Sequence, residues 1–418
     1  MITRHLSRRI TPLIRRNSSS PLKNVSQESS GGKILLVGAT FLKAVTPLIF
    51  GFGFIYAYRI LFLNDSSAIP IEQANLQGKV VVITGSSSGF GKFSAKGAAE
   101  RGATVVLASR SQKNLEVAKK FILKEVPDAN VDLVHLNLAD LDSVEKCAVK
   151  LLKKYGKVDV LVNNAAIFKP NSSRDPDETS DGFDTTFHVG FLGHFLLGEL
   201  LKDSLKENNG RMVSVVCPMM KEAQISLTED KSSTFKDLKT HASRIIDPTN
   251  YNQEDAQEKF KHIESYMQTK LCLYMAAKRW SRDVNSISVD PGTSNETLLN
   301  RYTKQDVNFK GTILRAYNMI RWSVVLPSVE NASQTIISAI SDSKYNADEF
   351  NGKVLCQHST KEYDDYIEKS AKPKSRDRYF AQITADAPLD YLYKISSNWT
   401  SLEERKKRLD KSLVSEKS

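Results

Sequence analysis

The sequence predicts an α/β fold in which a doubly wound parallel sheet follows an N-terminal membrane helix. From Gly78 onward, short β-branched runs alternate with segments of helical periodicity, which is typical of a parallel sheet covered by helices. The runs are apolar on both faces, as strands buried between two helix layers must be. A glycine-rich turn between the first strand and the first helix points to the same architecture.

Residues 1–30 have the composition of a presequence. Residues 1–27 contain five arginines, a run of serines at 18–20 and no Asp or Glu, as is typical of a mitochondrial transit peptide. The alternative is a disordered basic tail. We therefore expect a mitochondrial membrane location, with the endoplasmic reticulum or lipid-droplet membrane as the alternative.

Residues 41–63 are the candidate membrane span. From Ala44 to Leu63 the only charged residue is Arg59, near the end of the stretch. Such a stretch, at ~1.5 Å of rise per residue, can cross a hydrocarbon core of ~30 Å. The alternative is an amphipathic segment on the membrane surface. Residues 64–77 are polar and are predicted to be a linker.

The positive charge of the chain is concentrated before the globular domain. The formal net charge is +11, and residues 1–63 hold nine Lys or Arg against one acid, Glu28. That segment therefore carries +8, which leaves only +3 for the rest of the 418 residues. A basic groove over the globular body is not expected, and we predict no nucleic-acid partner.

The globular domain is predicted to span 78–360. A polar insertion is expected at 218–263, and its role stays open among a substrate lid, a partner-binding surface and a disordered loop. Residues 361–418 are a polar, basic extension, expected to be a soluble tail rather than a binding arm. The expected strands are 79–85, 104–109, 131–138, 158–166, 211–217 and 286–292, and the expected helices are 91–101, 111–125, 141–155, 182–206 and 263–282.

The four cysteines follow neither a disulfide pattern nor a metal-ligand pattern. Cys147, Cys217, Cys272 and Cys356 include no Cys-x-x-Cys pair and lie in segments that are expected to be core. Free thiols in a reducing compartment are therefore expected, and no metal site is predicted.

The turn from Thr84 to Gly91 is the first candidate site. Glycines between a strand and a helix permit a tight turn and the close approach of a pyrophosphate, and the helix N-terminus offers free N–H groups. The order of strand, turn and helix is the context that such a motif requires. The predicted cofactor contacts here are Gly85, Ser87, Ser88, Gly89, Phe90 and Gly91.

Arg110, directly after the second strand, indicates which dinucleotide binds. An NAD site usually carries an acid at this place for the ribose 2′-hydroxyl. The second strand instead ends in Ala108, Ser109 and Arg110, and an arginine can bind a 2′-phosphate. NADP is therefore predicted, the alternative being that Arg110 is only a solvated residue at a helix start.

Tyr266 and Lys270 are the candidate catalytic pair. The i, i+4 spacing places both on one helix face, between the fifth and sixth strands. A phenol titrates near pH ~10, and a nearby cation is expected to lower that pKa by ~1–3 units. Tyr266 could then act as general acid for a ketone oxygen or as general base for an alcohol.

Further motifs accompany these two sites, namely Asn163-Asn164-Ala165-Ala166, Leu192-Gly193-His194-Phe195 and Pro291-Gly292. With them, residues 78–356 resemble the short-chain dehydrogenase/reductase family, and its retinol-dehydrogenase-like branch in particular. The resemblance implies a Rossmann domain, hydride transfer with a nicotinamide cofactor and a lipophilic carbonyl or alcohol as substrate. It also allows a homodimer. The further cofactor contacts that it implies are Asn137, Leu138, Asn164, Ala165, Tyr266, Lys270, Pro291, Gly292 and Thr293.

Two departures from the family pattern bear on activity. The catalytic Ser at the end of the fifth strand is replaced by Cys217, whose thiol is a weaker hydrogen-bond donor. The Asn that holds a water in the proton path is replaced by Gly190, which could leave room for water but offers no side-chain partner. Because Tyr266 and Lys270 are retained, with Cys217 as a weak carbonyl-orienting donor, we predict that these three catalytic residues form an active NADP-dependent enzyme. The alternative is a membrane-anchored, catalytically attenuated cofactor-binding scaffold or sensor.

Overall fold

The described residues form a seven-stranded sheet in which all neighbouring strands are parallel. The structure is a computed structural model that describes residues 74–168, 178–223, 256–292, 294, 328–356 and 384–415. The strand order is β3-β2-β1-β4-β5-β6-β7, so the doubly wound sheet is confirmed. The strands are β1 (Val80–Thr84), β2 (Thr104–Ser109), β3 (Val131–His135), β4 (Val160–Asn163), β5 (Arg211–Val215), β6 (Asn285–Asp290) and β7 (Val354–Cys356).

Side-chain alternation along β1 shows why the strands are apolar at every position. Val80 and Val82 belong to one hydrophobic cluster, whereas Val81 and Ile83 belong to another. Successive side chains of a strand point to opposite faces of the sheet. A central strand with helices on both sides therefore has no position that can be polar at low cost.

Helices cover both faces of this sheet. One face carries α1 (Gly89–Glu100), α2 (Gln112–Glu125) and α6 (Val329–Ser341). The other face carries α3 (Leu141–Tyr155), α4 (Gly193–Glu207) and α5 (Ala256–Trp280). The sequence predicted neither α6 nor the edge strand β7.

A π-helical segment precedes α4. The chain runs from a short helical turn, Thr185–Phe187, through a π-helix, His188–Leu192, into α4. The predicted long helix at 182–206 therefore begins at 185 and is not α-helical throughout. Short π-helical segments are frequent at functional sites, and this one contains Gly190.

The C-terminal residues 386–414 pack on the domain, so the expectation of a soluble tail is wrong for them. They form α7 (Asp386–Trp399), which packs on α5, and α8 (Leu402–Val414), which packs on α3 and α4. The strongly charged sequence of α8 conceals a narrow apolar stripe. Leu402 and Leu409, two turns apart, are both buried, and such a stripe is enough to bind a helix to a core.

Two predicted boundaries move in the structure. Leu76 is buried, and its N–H donates to the Arg101 carbonyl at 2.8 Å, so the last residues of the predicted linker belong to the domain. Because α5 begins at Ala256, the predicted insertion at 218–263 is shorter than expected. Its central part, 224–255, lies outside the described residues.

The presequence at 1–30 and the candidate span at 41–63 also lie outside the described residues. Within the part of the chain that the structure describes, no helix has both the length and the apolar character that a membrane crossing needs. All four cysteines are free thiols, as predicted.

Candidate active site

A cleft of about 770 Å³ lies at the carboxyl ends of the central strands. From the adjacent strands β1 and β4 the sheet extends in opposite directions, and open α/β sheets bind ligands at such a switch point. Of the sequence-predicted contacts, Gly91 is not in the lining, and Thr293 lies outside the described residues. The predicted residues that line the cleft are Gly85, Ser87, Ser88, Gly89, Phe90, Arg110, Asn137, Leu138, Asn164, Ala165, Cys217, Tyr266, Lys270, Pro291 and Gly292.

The glycines of the turn have distinct physical roles. Gly85 and Gly89 have positive φ angles, +64° and +57°, and nothing lies within 4 Å of the place where a Gly89 Cβ would be. A ligand can therefore approach the backbone there. A Cβ on Gly91 would lie 2.6 Å from Asn164 Nδ2 and 2.7 Å from Gly85 O. Gly91 thus allows α1 to pack closely on the strand ends, which places it behind the cleft.

The N-terminus of α1 is suited to an anion. Its N-cap residue, Ser88, makes no side-chain capping bond, and the first turn holds no acid. By contrast, α2 and α3 are capped by the side chains of Ser111 and Asp140. An uncapped helix start leaves N–H groups available and stabilises negative charge, so the turn and α1 fit a pyrophosphate.

The edge of the cleft beyond β2 fits a further phosphate. Arg110 is exposed there and forms no ion pair with any described residue. Ser109 Oγ and Ser87 Oγ lie 3.4 Å apart beside it. Among the described residues that line the cleft, Glu178 is the only acid, so no carboxylate follows β2 to bind a ribose 2′-hydroxyl.

Asn137 and Leu138 form the wall of the cleft after β3. The Asn137 N–H donates to Ser143 Oγ at 3.0 Å, and Asn137 Oδ1 accepts from the Ala139 N–H at 3.2 Å. The Asn137 side chain therefore shapes the loop that places Leu138, which is buried.

Tyr266 and Lys270 meet in the cleft from one face of α5. Lys270 Nζ lies 5.8 Å from the centre of the Tyr266 ring and donates to the Val215 carbonyl at 2.6 Å. Lys270 is 2% exposed, and this burial lowers its pKa to about 8. An ionisable group with so altered a pKa in a cleft is typical of a functional site.

Tyr266 differs from the sequence-based expectation. Burial raises its pKa well above the usual value, and Cys217 and Asp290 raise it further. The expectation of a lowered pKa is therefore wrong in this structure, because the loss of hydration on burial disfavours the charged phenolate. The phenol keeps its proton at neutral pH and can act as a donor.

Cys217 is placed where the replaced serine would be. It follows β5, precedes the 3₁₀ turn Pro218–Glu222 and lies close enough to Tyr266 to raise the pKa of that phenol. Burial raises the pKa of the Cys217 thiol, so it stays protonated. The thiol is a weak donor toward a substrate oxygen.

The space beside Gly190 is filled rather than open. A Cβ on Gly190 would overlap the γ-methyl group of Thr269, the residue that precedes Lys270. The expectation that Gly190 leaves room for water is therefore not met on this side. An asparagine could not be accommodated here unless Thr269 moved.

One wall of the cleft is apolar, which the sequence did not predict. Phe168 is buried and packs edge-to-face on the Tyr266 ring, with 5.3 Å between the ring centres. Ile167, Val189 and Met219 line the same cleft. Phe168 and Ile167 directly follow the Asn163-Asn164-Ala165-Ala166 motif, and this position could have indicated them. Val189 carried no such signal.

Comparison with known proteins agrees with this site. Residues 79–228 match the short chain dehydrogenase family. The chain is 43% identical over 135 residues to retinol dehydrogenase 13 of Mus musculus, which covers 32% of this chain and 39% of that protein. It is 31% identical over 237 residues to retinol dehydrogenase 13 of Homo sapiens, and the matched region covers 55% of this chain and 63% of that protein. The chain therefore matches less than two thirds of the length of either relative.

A solved structure shares the fold. An uncharacterised protein from Mycobacterium Paratuberculosis superposes with a TM-score of 0.51 at 20% identity, covering 80% of this chain and 98% of that chain. At this identity the likeness concerns the fold alone. Together with the family match over residues 79–228 and the two relatives, the cleft and its glycine turn support a short-chain dehydrogenase domain that is similar to the retinol dehydrogenases.

Proposed function

We propose that the protein is an NADP(H)-dependent oxidoreductase that acts on the carbonyl or alcohol group of a lipophilic small molecule. The observation that supports this most directly is the placement of Tyr266 and Lys270, 5.8 Å from ring centre to Nζ, in the cleft that begins at the glycine turn. The family that residues 79–228 match is one of dehydrogenases, and both members of the expected catalytic pair are present.

NADP is proposed over NAD because of the residues after β2. Arg110 is exposed, lines the cleft and makes no ion pair among the described residues. Its guanidinium and the Ser87 and Ser109 hydroxyls could bind a 2′-phosphate through charge-assisted hydrogen bonds. No acid is present there to favour an unmodified ribose.

The reduction needs one proton and one hydride. The nicotinamide, when bound, would supply the hydride to the carbonyl carbon. Tyr266 Oη–H gives its proton to the carbonyl oxygen, and the Lys270 ammonium stabilises the phenolate that remains. Because the pKa of Tyr266 is raised, its proton is in place at neutral pH.

A lipophilic substrate is proposed from the apolar wall. Phe168, Val189 and Met219 line the cleft beside Tyr266, and burial of apolar surface is worth roughly 25 cal/mol per Å². Retinoids, sterols and fatty acyl carbonyls all meet this requirement. A panel that contains one carbonyl compound of each class, compared by kcat/KM, would rank them.

The test is Tyr266→Phe in the full chain. This change removes only the hydroxyl and keeps the ring contact with Phe168. We expect NADPH oxidation with lipophilic aldehydes to fall by roughly 10²-fold or more, since a general acid typically contributes 10²–10⁴-fold. Tyr391→Phe, on α7 and outside the cleft lining, is the matched control. Equal rates in Tyr266→Phe and the wild type would refute the mechanism.

Cys217 favours a second candidate function, a catalytically attenuated cofactor-binding scaffold or sensor. Its thiol replaces the serine donor of the family pattern and raises the pKa of the neighbouring Tyr266. A missing donor of this type can cost ~10²–10³ in rate. If Cys217→Ser raises turnover by that amount, the native site is attenuated. A wild type that is already fast, with no gain in Cys217→Ser, excludes the scaffold.

Location and assembly are proposed from the sequence. We propose a mitochondrial membrane protein, addressed by residues 1–30 and anchored by 41–63, with the endoplasmic reticulum or lipid-droplet membrane as the alternative. A homodimer is also proposed, and the mass of the detergent-solubilised chain measures it. The basis for these proposals is the composition of residues 1–63.

A further inference from the structure

A buried chain of hydrogen bonds starts at Thr84, the last residue of β1. Its hydroxyl oxygen accepts the N–H groups of Asn164 at 2.9 Å and Ala165 at 3.0 Å. These bonds occupy both lone pairs, so the hydroxyl has one proton left to donate. His194 Nε2 lies 2.8 Å away and the Val162 carbonyl 3.2 Å away. The histidine is the nearer acceptor.

His194 connects Thr84 to the π-helical segment through its two ring nitrogens. If Nε2 accepts from Thr84, the ring proton must be on Nδ1, which lies 3.3 Å from the Gly190 carbonyl and donates to it. His194 is completely buried. Burial and the nearby charge of Lys270 lower its pKa to about 3, so the neutral ring keeps this single arrangement of donor and acceptor at physiological pH.

Gly190 in turn contacts the catalytic helix. The γ-methyl group of Thr269 fills the place where a Gly190 Cβ would be. Thr269 precedes Lys270 and lies three residues after Tyr266 on α5. A continuous path of contacts therefore runs from the glycine turn through His194 and Gly190 to the catalytic pair.

We infer that His194 is a positioning residue, which sets the distance between the cofactor turn and the Tyr266–Lys270 pair. This inference rests on the proposed function and deepens it. His194 is absent from the lining of the cleft, so its effect must be indirect. The loop at Asn164 has a second attachment, from Asn164 Nδ2 to the Thr84 carbonyl at 2.8 Å. We therefore expect cofactor affinity to survive the loss of His194.

Three substitutions test the two hydrogen bonds of His194 separately. His194→Asn places an amide near the Nδ1 position and keeps a donor for Gly190. His194→Gln reaches the Nε2 position and keeps an acceptor for Thr84. His194→Phe loses both. The matched control is His135→Gln, because His135 is exposed at the end of β3 and outside the cleft.

In the full chain, His194→Phe should lower kcat with NADPH by about ten- to a hundredfold, because small misplacements of reacting groups have effects of this size. The KM for NADPH should stay within about twofold, since the loss occurs only in the reacting complex. Asn and Gln should each restore part of kcat. If the affinity for NADPH falls as much as kcat, or if neither amide restores activity, the inference is overturned.

Hydrogen–deuterium exchange of the protein without added nucleotide tests the connection independently of turnover. His194→Phe should raise exchange both in 160–168 and in 265–275, whereas Thr84→Val should raise it mainly in 160–168. If His194→Phe does not fold, His194→Gln is measured in its place. Unchanged protection in 265–275 overturns the inference whatever the turnover. If His194→Phe raises exchange in both segments but the wild-type protein reduces no carbonyl, the inference is supported and the proposed function is refuted.

Discussion

At the scale of single residues, burial makes Lys270 the cleft group whose charge changes closest to neutral pH. Its pKa of about 8 means that the ammonium is present below pH 8 and is lost as the pH rises through that value. The raised pKa of Tyr266 keeps the phenol protonated over the same range. Loss of activity between pH 7 and 9 would thus be due to Lys270.

We predict that kcat/KM for carbonyl reduction falls as the pH rises through about 8, because the phenolate left by Tyr266 then has no cation beside it. The pH–rate profile measures this. Lys270→Arg is the control, since guanidinium stays charged over the whole range. A wild-type profile that is flat to pH 10 would contradict the assignment.

The second residue-scale prediction concerns the contact between Arg110 and the 2′-phosphate of NADPH. Arg110→Ala should raise the KM for NADPH by about ten- to a hundredfold, the loss of a charged hydrogen bond worth about 1.5–3 kcal/mol, and should leave the KM for NADH nearly unchanged. Steady-state kinetics with both nucleotides measure this. Lys113→Ala is the matched control, because Lys113 is exposed on α2 and outside the cleft. An equal change for both nucleotides would argue against a 2′-phosphate contact.

At the scale of elements, Glu199 on α4 contacts three further helices, namely α5, α7 and, through Lys406 Nζ at 3.5 Å, α8. Its side chain on α4 is fully buried and pairs with Lys202 at 3.0 Å. It accepts from Trp280 Nε1 on α5 at 2.7 Å and from Tyr393 Oη on α7 at 2.9 Å. The C-terminal helix α7 is therefore attached to the same helix that carries Tyr266.

We predict that Glu199→Gln lowers the free energy of unfolding by about 1.5–3 kcal/mol, since the charged acceptor of the Trp280 and Tyr393 hydrogen bonds is lost. Lys202, with only 12% of its side chain exposed, then keeps Asp283 at 3.3 Å as its ion-pair partner. Urea unfolding of the full chain measures the change. Glu207→Gln, exposed on the same helix, should be nearly neutral. Equal midpoints in the two variants would show that Glu199 does not join the helices energetically.

At the scale of the whole molecule, composition divides the chain into a basic leader, an apolar stretch and a domain. We predict that a fluorescent fusion lacking residues 1–27 no longer reaches mitochondria, because import depends on the acid-free arginine segment. Removal of 41–63 should instead release the protein from membranes on carbonate extraction. Mitochondrial delivery without 1–27 would refute the presequence.

The fold class and the position of the cleft could be predicted from the sequence alone. Strand alternation, the glycine turn and the i, i+4 spacing of Tyr266 and Lys270 depend on neighbours within a few residues. Strand β2 and helix α3 begin and end at the predicted residues. Ser87 and Arg110, which follow β1 and β2, both line the cleft, because the carboxyl ends of parallel strands lie at one edge of the sheet.

The electrostatics of the site and the packing of the C-terminal helices depend instead on the tertiary structure. The pKa of Tyr266 rises because segments far apart in sequence exclude water from the phenol. His194, Gly190 and Thr269 meet only when α4 and α5 pack together. The charged helix α8 is held through the burial of Leu402 and Leu409. Burial depends on which distant residues cover a group, and local sequence carries no direct record of that.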